Sequence, residues 1–223
     1  FCLSEPNVGC DAGGQETHCE LSADGSHYIL NGEKKWATSG ALSGLFTVMA
    51  KQHVKDKATG KEKEVVTALI CTPEMEGVDI FSRNRSKCGI RGTWQARIRL
   101  TNVKVPKENL VGEHNKGYTV ALATLGGGRI GIAAQALGIA QAALEAGVRY
   151  AGERRQFDRV IGEFDAIREM LANMAIEVAT SRLLVYQASW LRDQGRPHIK
   201  EASLAKWHAS EAATRCAHLA IQI

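Results

Sequence analysis

The stretch Asp24-Gly25-Ser26-His27-Tyr28-Ile29-Leu30-Asn31-Gly32-Glu33-Lys34-Lys35-Trp36-Ala37-Thr38-Ser39-Gly40 decides how the first half of this chain is read. Asp-Gly and Asn-Gly are the dipeptides best suited to tight hairpin turns, because both central positions can require positive φ. Here they bracket the run His27 to Leu30, and Glu33 to Thr38 follows, which predicts two connected β-hairpins. Working outward, Leu45 to Ala50, Val65 to Cys71 and Ala96 to Val105 are further strand-like runs, the last alternating in part through Ile98, Leu100 and Val103. Lys51 to Lys63 is charged and contains Gly60, which predicts an exposed loop. Residues 1–113 therefore read as an antiparallel β domain, a sandwich or a barrel.

Residues 114–223 have a helical period. Ile130, Ala133, Leu137, Ala140, Leu144 and Val148 recur at steps of three and four, tracing one apolar stripe. Phe164, Ile167, Leu171, Met174, Val178, Val185 and Ala188 trace a second, with Ser181 completing the register. That helix is predicted to stop at Gly195-Arg196-Pro197, a glycine able to take the left-handed cap followed by a helix-incompatible proline. A third stripe runs Ala205, Ala209, Ala212, Cys216, Leu219, Ile223. Three long helices with short connections predict an antiparallel bundle, so the fold class is α+β.

Composition narrows the function classes. With 223 residues and 44% hydrophobic content the chain can bury a sizeable core. A formal charge of +4, from 28 basic and 24 acidic residues scattered along the chain, is no nucleic-acid footprint, which would concentrate basic residues on one face. Cys2, Cys10, Cys19, Cys71, Cys88 and Cys216 show no metal-ligand or disulfide-framework spacing, which points to a reduced interior compartment and to no metal. The most apolar stretch, Ala121 to Leu144, contains Arg129, five glycines and two glutamines, so no membrane span is expected. Phe1 in place of Met, and Ile223 inside an apolar helical pattern, read as the cut ends of something longer. G-x-S-x-G, H-E-x-x-H and P-loop patterns are absent; Gly126-Gly127-Gly128-Arg129 is glycine-rich but does not follow a strand.

Two segments carry more information: Phe1-Cys2-Leu3-Ser4-Glu5-Pro6-Asn7-Val8-Gly9-Cys10-Asp11 and Asn31-Gly32-Glu33-Lys34-Lys35-Trp36-Ala37-Thr38-Ser39-Gly40. They resemble the S/T-E-P-x-x-G-S-D and N-G-x-K-x-W-I-T-x-G signatures of the acyl-CoA dehydrogenase family. Val105-Pro106, Gly128-Arg129-Ile130, Glu153-Arg154-Arg155-Gln156-Phe157 and Ala220-Ile221-Gln222-Ile223 continue the resemblance in order, and the later helices are most similar to the short-chain branch.

The resemblance implies an FAD-dependent enzyme that removes the α proton of an acyl-CoA thioester while the β hydride passes to flavin N5. It implies that Trp36 lies against the flavin ring system and that the Thr38 hydroxyl donates to its N5 edge, roles a flat aromatic face and a hydroxyl can fill. Phe1, Leu3 and Ser4 match the strand contacting the pyrimidine side of the flavin, Gly9 the close backbone approach to the pyrophosphate, and Cys10 a position touching cofactor or substrate. Arg154 matches an arginine reaching the FAD pyrophosphate of a neighbouring subunit, where a guanidinium fork suits phosphate oxygens. Phe157 and Gln222 are implied to contact the same dinucleotide, and Arg129 to lie near the acyl-CoA entrance. Implied partners are an electron-transfer flavoprotein and further copies of the chain in a homotetramer; the implied location is the bacterial cytoplasm or the mitochondrial matrix.

The sequence also departs from the pattern. Cys10 replaces a serine, Asp165 a glutamine, Asp158 a glycine, and Gly126 stands where many members carry an acidic residue. Some members place the carboxylate base immediately before the motif arginine, but that position is Gly128 here. The base is therefore expected after Ile223, and no residue within the chain is expected to serve. Two other readings share the fold: an acyl-CoA oxidase-like flavoenzyme, and a non-catalytic binding or scaffold protein.

Overall fold

The computed structural model describes residues 1–55 and 60–223. It divides into two compact units, Phe1–Ala123 and Thr124–Ile223.

The first unit is built on one six-stranded sheet: β1 (His18–Leu21), β2 (His27–Ala37), β3 (Phe46–Lys55), β4 (Glu62–Cys71), β5 (Val78–Asn84) and β6 (Gln95–Pro106). Their spatial order is β4-β3-β1-β2-β6-β5. Most neighbours are antiparallel, but β1 runs parallel to β3, with His18 opposite Lys51. The sheet is therefore mixed, which corrects the purely antiparallel expectation. It coils enough for β4 to contact β6, although they stand four places apart in the order. Tyr28 and Leu30 of β2, Phe46 and Val48 of β3, Leu69 of β4, and Ile98, Val103 and Val105 of β6 close the core inside that coil.

Asp24-Gly25 does turn the chain: Gly25 has φ +68°, and the Asp24 carboxylate accepts from the Ser22 hydroxyl and the Ser26 amide between β1 and β2. Asn31-Gly32 does not. β2 runs through it with a register shift against β6, and the Asn31 side chain accepts from the Asn102 amide at 2.8 Å. Gly32, at φ +141°, lets Thr17 approach so closely that a Cβ would sit 2.6 Å from its Cα. The glycine serves close backbone approach at a bulge instead of a turn.

The charged run Lys51 to Lys63 is likewise not one long loop. β3 continues to Lys55 and β4 begins at Glu62, paired in unbroken register from Phe46↔Cys71 to Lys55↔Glu62. Its charges face each other across the hairpin, Lys51 Nζ lying 2.9 Å from Glu64. The middle of the expected loop, residues 56–59, lies outside the described residues.

The second unit holds most of α1 (Gly117–Glu153), a two-residue-strand hairpin β7 (Arg155–Gln156) and β8 (Arg159–Val160), α2 (Asp165–Asp193) and α3 (Ile199–Gln222). Ile130, Ala133 and Ala140 of α1, Met174, Val178, Val185 and Ala188 of α2, and Ala202, Ala205, Ala209 and Cys216 of α3 form one core. Val148, expected in the α1 stripe, is 52% exposed instead. α2 ends as predicted: Gly195 has φ +64°, its amide donates to the Arg192 carbonyl and that of Arg196 to the Leu191 carbonyl, a Schellman cap. By length and composition α1 is long and apolar enough to cross a membrane. Its fully buried Ala133 and Ala140 are packed as in the core helix of a bundle.

All six cysteines are free. Burial pushes the Cys19 and Cys71 thiols up to about 12, which removes their thiolate reactivity at neutral pH.

Candidate functional site

In the first unit, two short backbone segments face each other across a cleft. The segment Phe1–Ser4 is anchored at Cys2, whose amide donates to the Thr47 carbonyl at 2.7 Å and whose carbonyl accepts from the Met49 amide at 3.1 Å. Cys2 is buried by this pairing, and its neighbour Phe1 is 46% exposed. The opposite segment is the end of β2. The Lys35 amide donates to the Ser4 carbonyl at 2.9 Å, and at Trp36 the backbone turns left-handed, with φ +62°. That reversal ends the regular pleat and leaves the indole 54% exposed, with Lys35 Nζ 4.6 Å from its centroid.

The resulting cleft, of about 290 Å³, is lined by Phe1, Leu3, Ser4, Lys35, Trp36, Ala37 and Thr38. The structure thus brings together five residues singled out in the sequence: Phe1, Leu3, Ser4, Trp36 and Thr38. The amides of Leu3 and Ser4 and the hydroxyls of Ser4 and Thr38 have no protein partner among the described residues. Trp36 and Lys35 also border a second cleft of about 260 Å³, lined by Ser82, Asn84, Gln95, Ala96 and Arg97. Trp36 and Lys35 are thus shared by the two.

Behind the first cleft lies a group that sequence reasoning missed. Lys34 is fully buried, and its ammonium donates to Glu5 Oε1 at 2.7 Å, Gln15 Oε1 at 3.1 Å and the Leu3 carbonyl at 3.2 Å. Glu5, also buried, accepts from the amides of Glu16 at 2.6 Å and Thr17 at 3.1 Å. Burial works to raise the Glu5 carboxyl, but the Lys34 ammonium and the Glu16 amide outweigh it and hold it below its ordinary value. Burial pulls Lys34 down against the opposing attraction of Glu5. We take the pair as charged, because each charge meets the other plus fixed dipoles.

Gly9 and Cys10 follow on an exposed run and do not line the cleft; a Cβ on Gly9 would meet nothing within 4 Å.

The second unit carries the other sequence-derived candidates. Arg154 follows α1, its amide held by the Tyr150 carbonyl and its own carbonyl by the Ile161 amide, while its exposed guanidinium has no carboxylate partner among the described residues. Phe157 and Asp158, with φ +52° and +63°, form the tip of the β7–β8 hairpin, as a turn of the mirror-image type requires. Phe157 is 86% exposed and touches Phe164 edge-on, with ring centroids 6.0 Å apart. The left-handed φ at Asp158 explains why glycine suits that position. Gln222 is exposed at the end of α3.

Arg129 reaches from α1 to the Ser203 hydroxyl at 3.1 Å. Gly126 is buried, and a Cβ there would lie 2.6 Å from Ile199 Cδ1, so an acidic side chain has no room without moving Ile199. Gly128 is open: nothing lies within 4 Å of its Cβ direction. Asp165 is solvent-exposed in the first turn of α2, 3.7 Å from Arg168.

Comparison with known proteins agrees across the chain. Residues 1–103 match the family model of the acyl-CoA dehydrogenase middle domain, and residues 115–223 that of the acyl-CoA dehydrogenase C-terminal domain. A Bacillus subtilis protein named a probable acyl-CoA dehydrogenase is 46% identical over 226 residues, a match covering all of this chain and 57% of the relative. A subunit of the caffeyl-CoA reductase–Etf complex of Acetobacterium woodii is 40% identical, with 100% and 57% covered. The solved butyryl-CoA dehydrogenase of Megasphaera elsdenii superimposes with a TM-score of 0.91 at 39% identity, covering 100% of this chain and 56% of that one. The chain thus spans a little over half the length of these relatives.

Proposed function

Because the chain belongs to the acyl-CoA dehydrogenase family, we propose that its full protein is an FAD-dependent oxidoreductase interconverting an acyl-CoA thioester and its α,β-unsaturated counterpart. The single observation that carries this reading is the cleft of the first unit. Two backbone segments present amides and hydroxyls without a partner among the described residues beside an exposed Trp36, a fit for a flat ring with a polar rim. Bound there, FAD would supply the hydride acceptor of the reaction.

In this assignment residues 1–113 are the FAD-binding β domain and residues 114–223 part of the helical domain. Trp36 covers the ring face; Thr38 and Ser4 donate to its heteroatoms; Phe1 and Leu3 complete the wall. Gly9 and Cys10 border the rest of the cofactor and the substrate. Arg154, with no carboxylate partner among the described residues, Phe157 on its protruding hairpin, and Gln222 serve the dinucleotide of a neighbouring subunit, so the assembly is a homo-oligomer, a tetramer by family resemblance. Arg129, steadied by Ser203, lies by the acyl-CoA entrance. The carboxylate that takes the α proton lies beyond Ile223, since Gly128 offers no side chain. A carboxylate suits the task because an apolar, closed site raises its pKa toward that of the carbon acid. We assign an electron-transfer flavoprotein as the redox partner, consistent with the Acetobacterium relative, whose name pairs a reductase with Etf. That name also favours a second reading, in which the physiological direction is reduction of the unsaturated thioester.

The test is flavin retention. The full-length protein is expected to purify yellow, and Trp36→Ala and Arg154→Ala are each expected to weaken FAD binding about tenfold, or roughly 1.4 kcal/mol. Unchanged flavin content in both variants rejects this placement of the site. A wild type that stays colourless after incubation with FAD points to the non-catalytic scaffold.

A further inference from the structure

Resting on the flavin reading above, we propose that the buried Lys34–Glu5 pair is the positioning element of the cleft, fixing the Phe1–Ser4 segment against the end of β2 and thereby setting FAD affinity. The wall formed by Phe1–Ser4 is tied to β3 through Cys2 alone, whose amide and carbonyl pair with Thr47 and Met49. Only Cys2 forms a bridge to a strand, opposite Val48, and Phe1 and Leu3 flank it outside any ladder. Its attachment to β2 consists of two bonds from consecutive residues: the Lys35 amide to the Ser4 carbonyl, and the Lys34 ammonium to the Leu3 carbonyl. β2 itself loses regular register with β6 after Lys34↔Ile98 and turns left-handed at Trp36. Lys34 is therefore the last regularly paired residue before the cleft, and its side chain bonds the wall that faces Trp36 and Thr38.

The pair also reaches a third segment. Through Glu5 the amides of Glu16 and Thr17 are satisfied, and through Gln15 the ammonium fills its third bond, so the wall, β2 and the approach to β1 converge on two charges. Burying two charges is costly, and packed apolar residues often do as well or better for stability alone. What apolar residues cannot do is donate to the Leu3 carbonyl, a bond that fixes the backbone of a wall whose Leu3 and Ser4 line the cleft. Neither Lys34 nor Glu5 lines the cleft, so each acts through the wall it positions.

The experiment titrates FAD into full-length apoprotein and follows urea unfolding in parallel, for wild type, Lys34→Met, Glu5→Gln and the double variant Lys34→Met/Glu5→Leu. Lys34→Met is expected to weaken FAD at least tenfold and to lower the unfolding midpoint. The double variant, with no charge left unpaired, is expected to regain much of the midpoint while FAD affinity stays low. Glu5→Gln keeps shape and an acceptor, and is expected to fold with several-fold weaker FAD. A double variant with wild-type FAD affinity makes the pair merely structural and overturns the proposal, as does wild-type affinity in Lys34→Met. Should the double variant not fold, an unchanged affinity in Glu5→Gln overturns it equally. A wild type that takes up no FAD removes the flavin reading itself, and this inference with it; a wild type that binds beside indifferent variants removes only the inference.

Discussion

The two units solve the same packing problem with opposite materials. The β unit fills its core with large side chains, Tyr28, Phe46, Leu30, Leu69 and Ile98, and adds a buried charge pair behind its cleft. The helical unit joins α1, α2 and α3 largely through alanines: Ala133, Ala136, Ala140, Ala188, Ala202, Ala205, Ala209 and Ala213. Several of its large apolar residues are exposed, among them Ile176, Leu183, Tyr186 and Trp190 on α2 and Leu204 and Trp207 on α3, although Ile130, Met174, Val178 and Val185 are buried. The small residues of α3 let its axis approach that of α2 closely, so precision in that seam depends on the absence of volume. In the β unit it depends on the presence of volume.

The contrast can be broken at three points. The largest effect is expected from Phe46→Ala, which empties a nearly fully buried ring site and should cost about 3–5 kcal/mol in a urea titration. A loss under about 1 kcal/mol would mean that the coiled sheet collapses to fill the gap. In the helical unit the sensitive change runs the other way. Ala205→Leu inserts volume into a fully buried seam and should cost about 1–3 kcal/mol by the same measurement. If it is neutral, the helices are not in close contact there and the contrast fails. The smallest effect belongs to the β7–β8 tip. Asp158→Gly relieves a left-handed non-glycine residue and should raise stability by at most about 1 kcal/mol, visible as a small upward shift in the thermal midpoint. A drop instead would show that Asp158 makes the turn by more than its backbone angle.

Much of this was legible from the residues. The helical periods located the seam, and the glycine-proline pair located the end of α2, because these signals are local. The cleft residues Phe1, Leu3, Ser4, Trp36 and Thr38 came from two short signatures, and the structure brings those positions to one surface. Other features depended on distant partners. Asn31-Gly32 carries a turn dipeptide, but Thr17 and Asn102 recruit it into a bulge. Lys51 to Lys63 looks like a solvated loop until its two arms are paired charge against charge. Lys34 stands between Glu33 and Lys35 and reads as a surface residue; only its inward place on β2, between half-buried Glu33 and Lys35, together with Glu5 29 positions away, reveals its burial. Within the sequence the available hint was that the glutamate and the lysine each sat inside a signature without a role.

The left-handed backbone at Trp36 has a mechanical consequence. Trp36 and its neighbour Lys35 line two hollows at once, one with Thr38 and one with Arg97, so a change of side chain at Trp36 reshapes both. An occupant of either hollow thus rests against residues that also line its neighbour.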